Sequence, residues 1–138
     1  MAFQNPSDAE LRKLFTTMRR IAVVGLSPKT DRPSFRVSKQ MQGWGFDIVP
    51  VRPLVQSVLG QPAYAQLEDV PGTVDLVNLF RNAAEVDAVV DSAIAIKAPA
   101  IWIQQGIVNE AAAERARAAG LLVVMDRCVM VDYARLRA

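Results

Sequence analysis

Short, mainly apolar runs alternate along this chain with segments whose apolar residues recur at helical spacing. The runs are Ile21–Leu26, Phe46–Val51, Val74–Phe80, Ala100–Gln104 and Leu121–Met125. Apolar residues at consecutive positions give a strand with both faces buried, the signature of a parallel sheet. Between the runs the period changes. Leu11, Leu14, Phe15 and Met18 mark a first helix over Ser7–Arg19, opened by a capping box in which Ser7 stands three residues before Glu10. A second helix starts at Pro33, follows Phe35, Val37, Met41 and Trp44, and ends at Gly43 and Gly45. Asn82 with Glu85 reads as a second capping box, and Val86, Val89, Val90, Ala93 and Ile94 continue that helix to about Lys97. Asn109 caps a fourth helix over Glu110–Ala119, stopped by Gly120, and Val129–Arg137 is a short terminal helix or tail. Leu54–Gly72 carries no long element and is read as a compact excursion with a short helix near Leu67.

This alternation predicts an α/β fold: a Rossmann-like, doubly wound, five-stranded parallel sheet with right-handed crossovers, in three α/β/α layers and one domain spanning residues 1–138. The expected strand order is 3-2-1-4-5, with a switch point between strands one and four. Pro50 cannot donate to a ladder and is read as marking the end of strand two.

Composition narrows the function. Hydrophobic residues make up 51% of the 138, so the chain folds around a core, and no apolar run reaches membrane-spanning length. No membrane partner is expected. The net charge of +2 comes without a lysine/arginine run, so no nucleic-acid partner is expected either. There is no histidine, which excludes Ser-His-Asp and Cys-His nucleophile systems, phosphohistidine and histidine-bound metals. One cysteine, Cys128, forms no internal disulfide, and the first residues lack the pattern of a signal peptide. A cytoplasmic location is the expectation.

In doubly wound sheets the ligand lies beyond the carboxyl ends of the strands, at the switch point. Strand one runs into Gly25, which permits close backbone approach, and then into Leu26-Ser-Pro-Lys-Thr-Asp-Arg before the helix at Pro33. Ser27, Ser34 and the helix N–H groups can donate to a phosphate, and Lys29, Arg32 and Arg36 supply charge. The second and third glycines of the dinucleotide fingerprint are missing. Strand two ends at Arg52 where NAD enzymes carry an acid for the ribose hydroxyl. An arginine there suits a ribose phosphate, as in NADP or the 3′-phosphate of coenzyme A, or else a rim cation lying over apolar surface. Phe80 and Arg81 end strand three, as adenine and phosphate contacts or as packing. Gln104, Gln105 and Gly106 end strand four. Trp102 is read as core. Asp126-Arg127-Cys128 reads as an Asp–Arg pair locking the tail beside a small buried thiol, and Tyr64 and Tyr133 read as packing. A response-regulator reading of the same β/α count fails, because strand three ends in Phe80-Arg81 instead of a phosphoacceptor aspartate.

Taken together, Ile21-Ala-Val-Val-Gly-Leu-Ser, Arg36-Val-Ser, Pro50-Val-Arg-Pro, Val77-Asn-Leu-Phe-Arg, Ile101-Trp-Ile-Gln-Gln-Gly-Ile and Met125-Asp-Arg-Cys-Val-Met resemble the stand-alone CoA-binding domain family over residues 7–137. The fold is similar to the CoA-binding domain of the succinyl-CoA synthetase alpha subunit. The resemblance implies non-covalent binding of coenzyme A, or an acyl-CoA, without a reaction of its own. It implies that Gly25, Leu26, Ser27 and Lys29 line the first turn, that Val51, Arg52 and Pro53 edge the nucleotide pocket, and that Phe80, Arg81, Gln104 and Gln105 close it. The family often has asparagine where this chain has Arg52. The rival readings are an NADP-dependent oxidoreductase or NADP-sensing domain, and an interaction module with a vestigial pocket. No protein partner is named by the sequence.

Overall fold

The structure is a computed structural model and describes residues 3–137. In chain order its elements are α1 (Asp8–Thr17), β1 (Arg20–Val24), α2 (Pro33–Gly43), β2 (Asp47–Val51), β3 (Ser57–Val58), β4 (Gln61–Pro62), β5 (Leu76–Leu79), α3 (Val86–Ala95), β6 (Ala100–Gln104), α4 (Glu110–Ala118), β7 (Leu122–Arg127) and α5 (Val129–Leu136). Five strands form one parallel sheet in the order β2-β1-β5-β6-β7. One face carries α3 and α4, whose Val86, Val90, Ala112 and Ala116 pack with Ala22, Val77 and Ile101 of the sheet. The other carries α1, α2 and α5, whose Leu11, Phe15, Met41 and Leu136 pack with Ile21, Leu76 and Trp102. The α/β class and the three layers are as the periodicity predicts. No helix among the described residues is long and apolar enough to cross a membrane.

The strand order is not the expected one. Counting sheet strands alone, it runs 2-1-3-4-5, so the switch point lies between β1 and β5 instead of between strands one and four. Pro50 supplies the physical reason. It lies inside β2, paired with Val23, and its carbonyl accepts from the Tyr64 N–H (3.0 Å) on the side away from β1. A strand residue points its N–H and carbonyl the same way, so the missing donor of Pro50 also faces outward. An edge strand tolerates that; an interior strand, as the order 3-2-1-4-5 requires, would lose a ladder bond. The excursion after β2 covers this edge. It forms the β3–β4 hairpin and a 3-10 turn at Leu67–Asp69, and Tyr64 makes a single parallel bridge to Val51.

Ser7 and Glu10 form the expected capping box, and Asn109 caps α4 by accepting from Ala112 N–H. Asn82 does not cap as expected. Its side chain makes no cap bond, a 3-10 turn fills Ala83–Glu85, and the Glu85 carboxylate goes to Arg81.

The C-terminal helix is tied down by charge. Arg127 forks onto the buried carboxylate of Asp132 (2.7 and 2.8 Å), and Arg135 bridges Asp132 to Asp8 of α1. The Asp–Arg pair read at Asp126-Arg127 is therefore a different pair: Asp126 accepts the Gly106 N–H (2.7 Å) instead. Arg127→Ala strips a partner from a carboxylate that is 5% exposed. Loss of about 1–3 kcal/mol is expected in chemical denaturation, less than for a fully buried pair because Arg135 remains. An unchanged midpoint would show the pair to be electrostatically idle. The Arg135 guanidinium also holds the Asp8 carboxyl below the ordinary carboxylate range, chiefly through their hydrogen bonds. That contribution is present above the ordinary aspartate range and fades as pH falls through the lowered folded value.

Candidate nucleotide-binding site

At the carboxyl end of β1 the chain turns through Gly25, at φ +87°. Its N–H donates to the Val51 carbonyl of β2 (2.8 Å), while Phe80 N–H donates to Val24 (2.9 Å). The ends of β2, β1 and β5 are thus stitched together at the switch point. A Cβ on Gly25 would stand 2.6 Å from the Phe80 carbonyl oxygen and 2.7 Å from Arg81 Cδ. The turn that follows is held by two buried serines. Ser27 N–H donates to Ser34 Oγ (3.0 Å), and Lys29 N–H donates to Ser27 Oγ (3.1 Å). Both hydroxyls spend acceptor capacity on the loop and keep their own hydrogens for a ligand. The loop delivers the chain to Pro33 at the start of α2, whose N-terminus has no side-chain cap. Its first N–H groups are orphan donors with the positive end of the helix dipole behind them.

Three adjoining cavities open along this rim. The first, of ≈ 400 Å³, is lined by Gly25, Ser27, Lys29, Arg32, Ser34, Arg52 and Phe80, with Pro33 at its edge. The Arg52 guanidinium reaches the Gly25 carbonyl at 3.4 Å. Arg20, Arg81, Arg115, Arg127 and Arg135 each hold a carboxylate. Among the described residues Lys29, Arg32 and Arg52 hold none, so this cavity concentrates uncompensated positive charge around buried hydroxyl donors.

A second cavity of ≈ 260 Å³ lies on the α3 face beside Gly25 and Arg81, and is walled by Val51, Pro53, Leu67 and Val89. A third, of ≈ 560 Å³, shares Pro33 and Phe80 with the first and Arg81 with the second, and extends to Gln104, Gln105 and Cys128. The half-buried Phe80 ring thus separates a charged cavity from a more apolar one. Arg81 forks onto Glu85 (2.7 and 2.8 Å), which holds the Glu85 carboxyl below and the guanidinium above their ordinary ranges.

Twelve of the fourteen residues singled out from the sequence line these cavities. The other two do not. Leu26 is fully buried in the core under α2, so only its backbone borders the turn. Arg36 is exposed on α2 and lines none of the three. The corrected strand order explains the layout: β5 stands between β1 and β6, so Phe80 and Arg81 abut the first turn and Gln104 lies one strand further out. Sequence reasoning missed the second cavity's outer wall, Ala65 to Glu68 with Ala88, Val89 and Ser92. The signal available was the turn Arg52-Pro53 aiming the excursion back across the strand ends. Cys128, read as a small buried thiol, is half-buried: it packs against the core and also lines the third cavity.

The profile of the CoA binding domain family matches residues 19–134. The chain belongs to that family. It is 42% identical over 131 residues to the uncharacterized protein YneT of Bacillus subtilis (strain 168), covering 95% of this chain and 97% of that one. A solved structure of a hypothetical protein from Pyrococcus horikoshii OT3 superposes with a TM-score of 0.92 at 33% identity, with both chains fully covered. The apo form of the dinucleotide-forming acetyl-coenzyme A synthetase 1 of Ca. Korarchaeum cryptofilum shares the fold, with a TM-score of 0.73 at 22% identity. That match covers 84% of this CoA-binding domain chain and 28% of the synthetase.

Proposed function

We propose that this CoA-binding domain holds coenzyme A, or an acyl-CoA, non-covalently across the switch point and performs no catalysis of its own. The observation that carries the reading is the first cavity. Lys29, Arg32 and Arg52 stand there without acid partners among the described residues, around two buried serine hydroxyls and an uncapped helix N-terminus. A phosphate needs that set of groups, and the charge of the three cations answers no carboxylate among the described residues. In this reading the phosphates occupy the first cavity, and the adenine enters the second against Val51, Pro53 and Leu67. The pantetheine arm crosses Phe80 into the third. The compartment that suits a chain with one cysteine is the reducing cytoplasm.

Parallel titrations with coenzyme A, NADP and NAD test the reading by calorimetry and thermal shift. Coenzyme A at ~100 times its dissociation constant is expected to add about 2.7 kcal/mol of stability. Preferential binding of NADP would overturn the assignment in favour of a dinucleotide site, and no shift with any of the three would leave a protein-interaction module. Arg52→Ala is expected to weaken coenzyme A by about 1–3 kcal/mol, the worth of a charge-assisted hydrogen bond. An unchanged calorimetric affinity would remove Arg52 from the phosphate contacts.

A further inference from the structure

The chain's single cysteine is a nucleophilic side chain that the binding reading leaves idle, and it lines the third cavity. Its neighbour there is Gln104, which is 4% exposed. The Gln104 Oε1 accepts the Val129 N–H (3.1 Å), which fixes the carboxamide. Its Nε2 hydrogens have no partner among the described residues. That donor is open to the cavity and is free to bond an acceptor in whatever fills it. Pro33, Val37, Phe80 and Ile107 give the cavity apolar wall, and Arg81, Asn82 and Gln105 line it with polar groups. A flexible arm that alternates amides with short methylene stretches suits both: an amide carbonyl for Gln104 and carbon for the apolar wall. The cavity joins the phosphate cavity at Pro33 and Phe80, so an arm anchored by its phosphates runs into it with its terminal thiol toward Cys128.

We propose that Cys128 is a thiol-exchange site that takes one coenzyme A from coenzyme A disulfide. The Cys128 thiolate attacks one sulfur of the disulfide. The Cys128–coenzyme A S–S bond forms as the original S–S bond breaks. The second coenzyme A leaves as thiolate and takes up the proton that Cys128 lost, so no further oxidant is consumed. A reductant reverses the step. The inference rests on the coenzyme A reading and adds to it a covalent state of the same site, which would record the oxidation state of the surrounding coenzyme A pool.

The reduced full chain, incubated anaerobically with coenzyme A disulfide and followed by intact mass spectrometry, tests this. The expected product carries one coenzyme A per chain, loses it to dithiothreitol, and does not form in Cys128→Ser. Glutathione disulfide at equal concentration is expected to react slower by about tenfold or more, because only the coenzyme A arm is held near the thiol. Equal rates would reduce Cys128 to an unselective surface thiol and overturn the proposal. No adduct, while calorimetry under reductant shows the wild-type chain binding reduced coenzyme A, would overturn the exchange and leave the binding reading standing. No binding of reduced coenzyme A and no adduct would overturn both.

Discussion

Gly25→Ala is expected to lose about 2–4 kcal/mol of stability and to weaken nucleotide binding in whatever fraction still folds. Two costs combine. The backbone at φ +87° is a conformation that a Cβ disfavours, and the Cβ would meet the Phe80 carbonyl at 2.6 Å and Arg81 Cδ at 2.7 Å. The Arg81 side chain can move, at the expense of its fork to Glu85. The Phe80 carbonyl is backbone at the end of β5 and can move only if the strand does. The separation of β1 from β5 at the switch point would widen, carrying Phe80 away from the cavity it divides. Gly106→Ala is the control. Gly106 also has φ +87°, but a Cβ there meets nothing within 4 Å, so it bears the conformational cost alone. Thermal and chemical denaturation of the pair therefore isolates the contact. Equal losses at Gly25 and Gly106 would mean that close approach of the two strand ends is not what fixes glycine at this position.

That contact shows where sequence reasoning succeeds and where it fails. The apolar runs and the helical spacings state which segments are strands and helices, because burial on both faces or on one stripe is a local property of the residues. Strand order is a property of crossovers, and local pattern constrains it only where a residue forbids a position. Pro50 was such a residue. Treated as a terminator it said little; treated as a missing donor inside β2 it places that strand at the edge. The site follows the same division. Gly25, Ser27, Arg52 and Phe80 stand at strand ends and are legible once the parallel sheet is inferred. The second cavity needs the excursion's fold, which long-range pairs such as Val51 with Tyr64 determine. Asn82 makes no side-chain cap because the chain enters a 3-10 turn at Ala83–Glu85 before α3 begins at Val86, a local choice of turn that the residue pattern does not reveal. Cys128 was hidden for another reason. Asp126, in the left-handed region at φ +61°, shifts the register of β7 against β6 and re-aims the next residues over the strand ends.

Trp102→Ala is expected to cost the most, about 3–5 kcal/mol, a large part of the stability of a domain of this size. Trp102 lies in β6 between Asn78 and Val124, fully buried, with its ring against Phe15 of α1 (centroids 5.9 Å apart). Alanine would open a cavity beneath α1 and α5 that the sheet cannot collapse to fill. The indole N–H donates to the Arg127 carbonyl (2.8 Å), and the substitution also leaves that acceptor without its donor. At roughly 3–5 °C per kcal/mol for a chain of this length, the melting temperature should fall by about 10–20 °C. Trp102→Phe separates the two contributions: it keeps most of the ring, loses the N–H, and should cost about 1–3 kcal/mol. Trp102 lines none of the three cavities, so the phenylalanine variant should bind coenzyme A as the parent does. A variant that folds with a small stability loss yet binds poorly would contradict the purely structural role, and would show that the Trp102 hold on Arg127 sets the position of Cys128 over the third cavity.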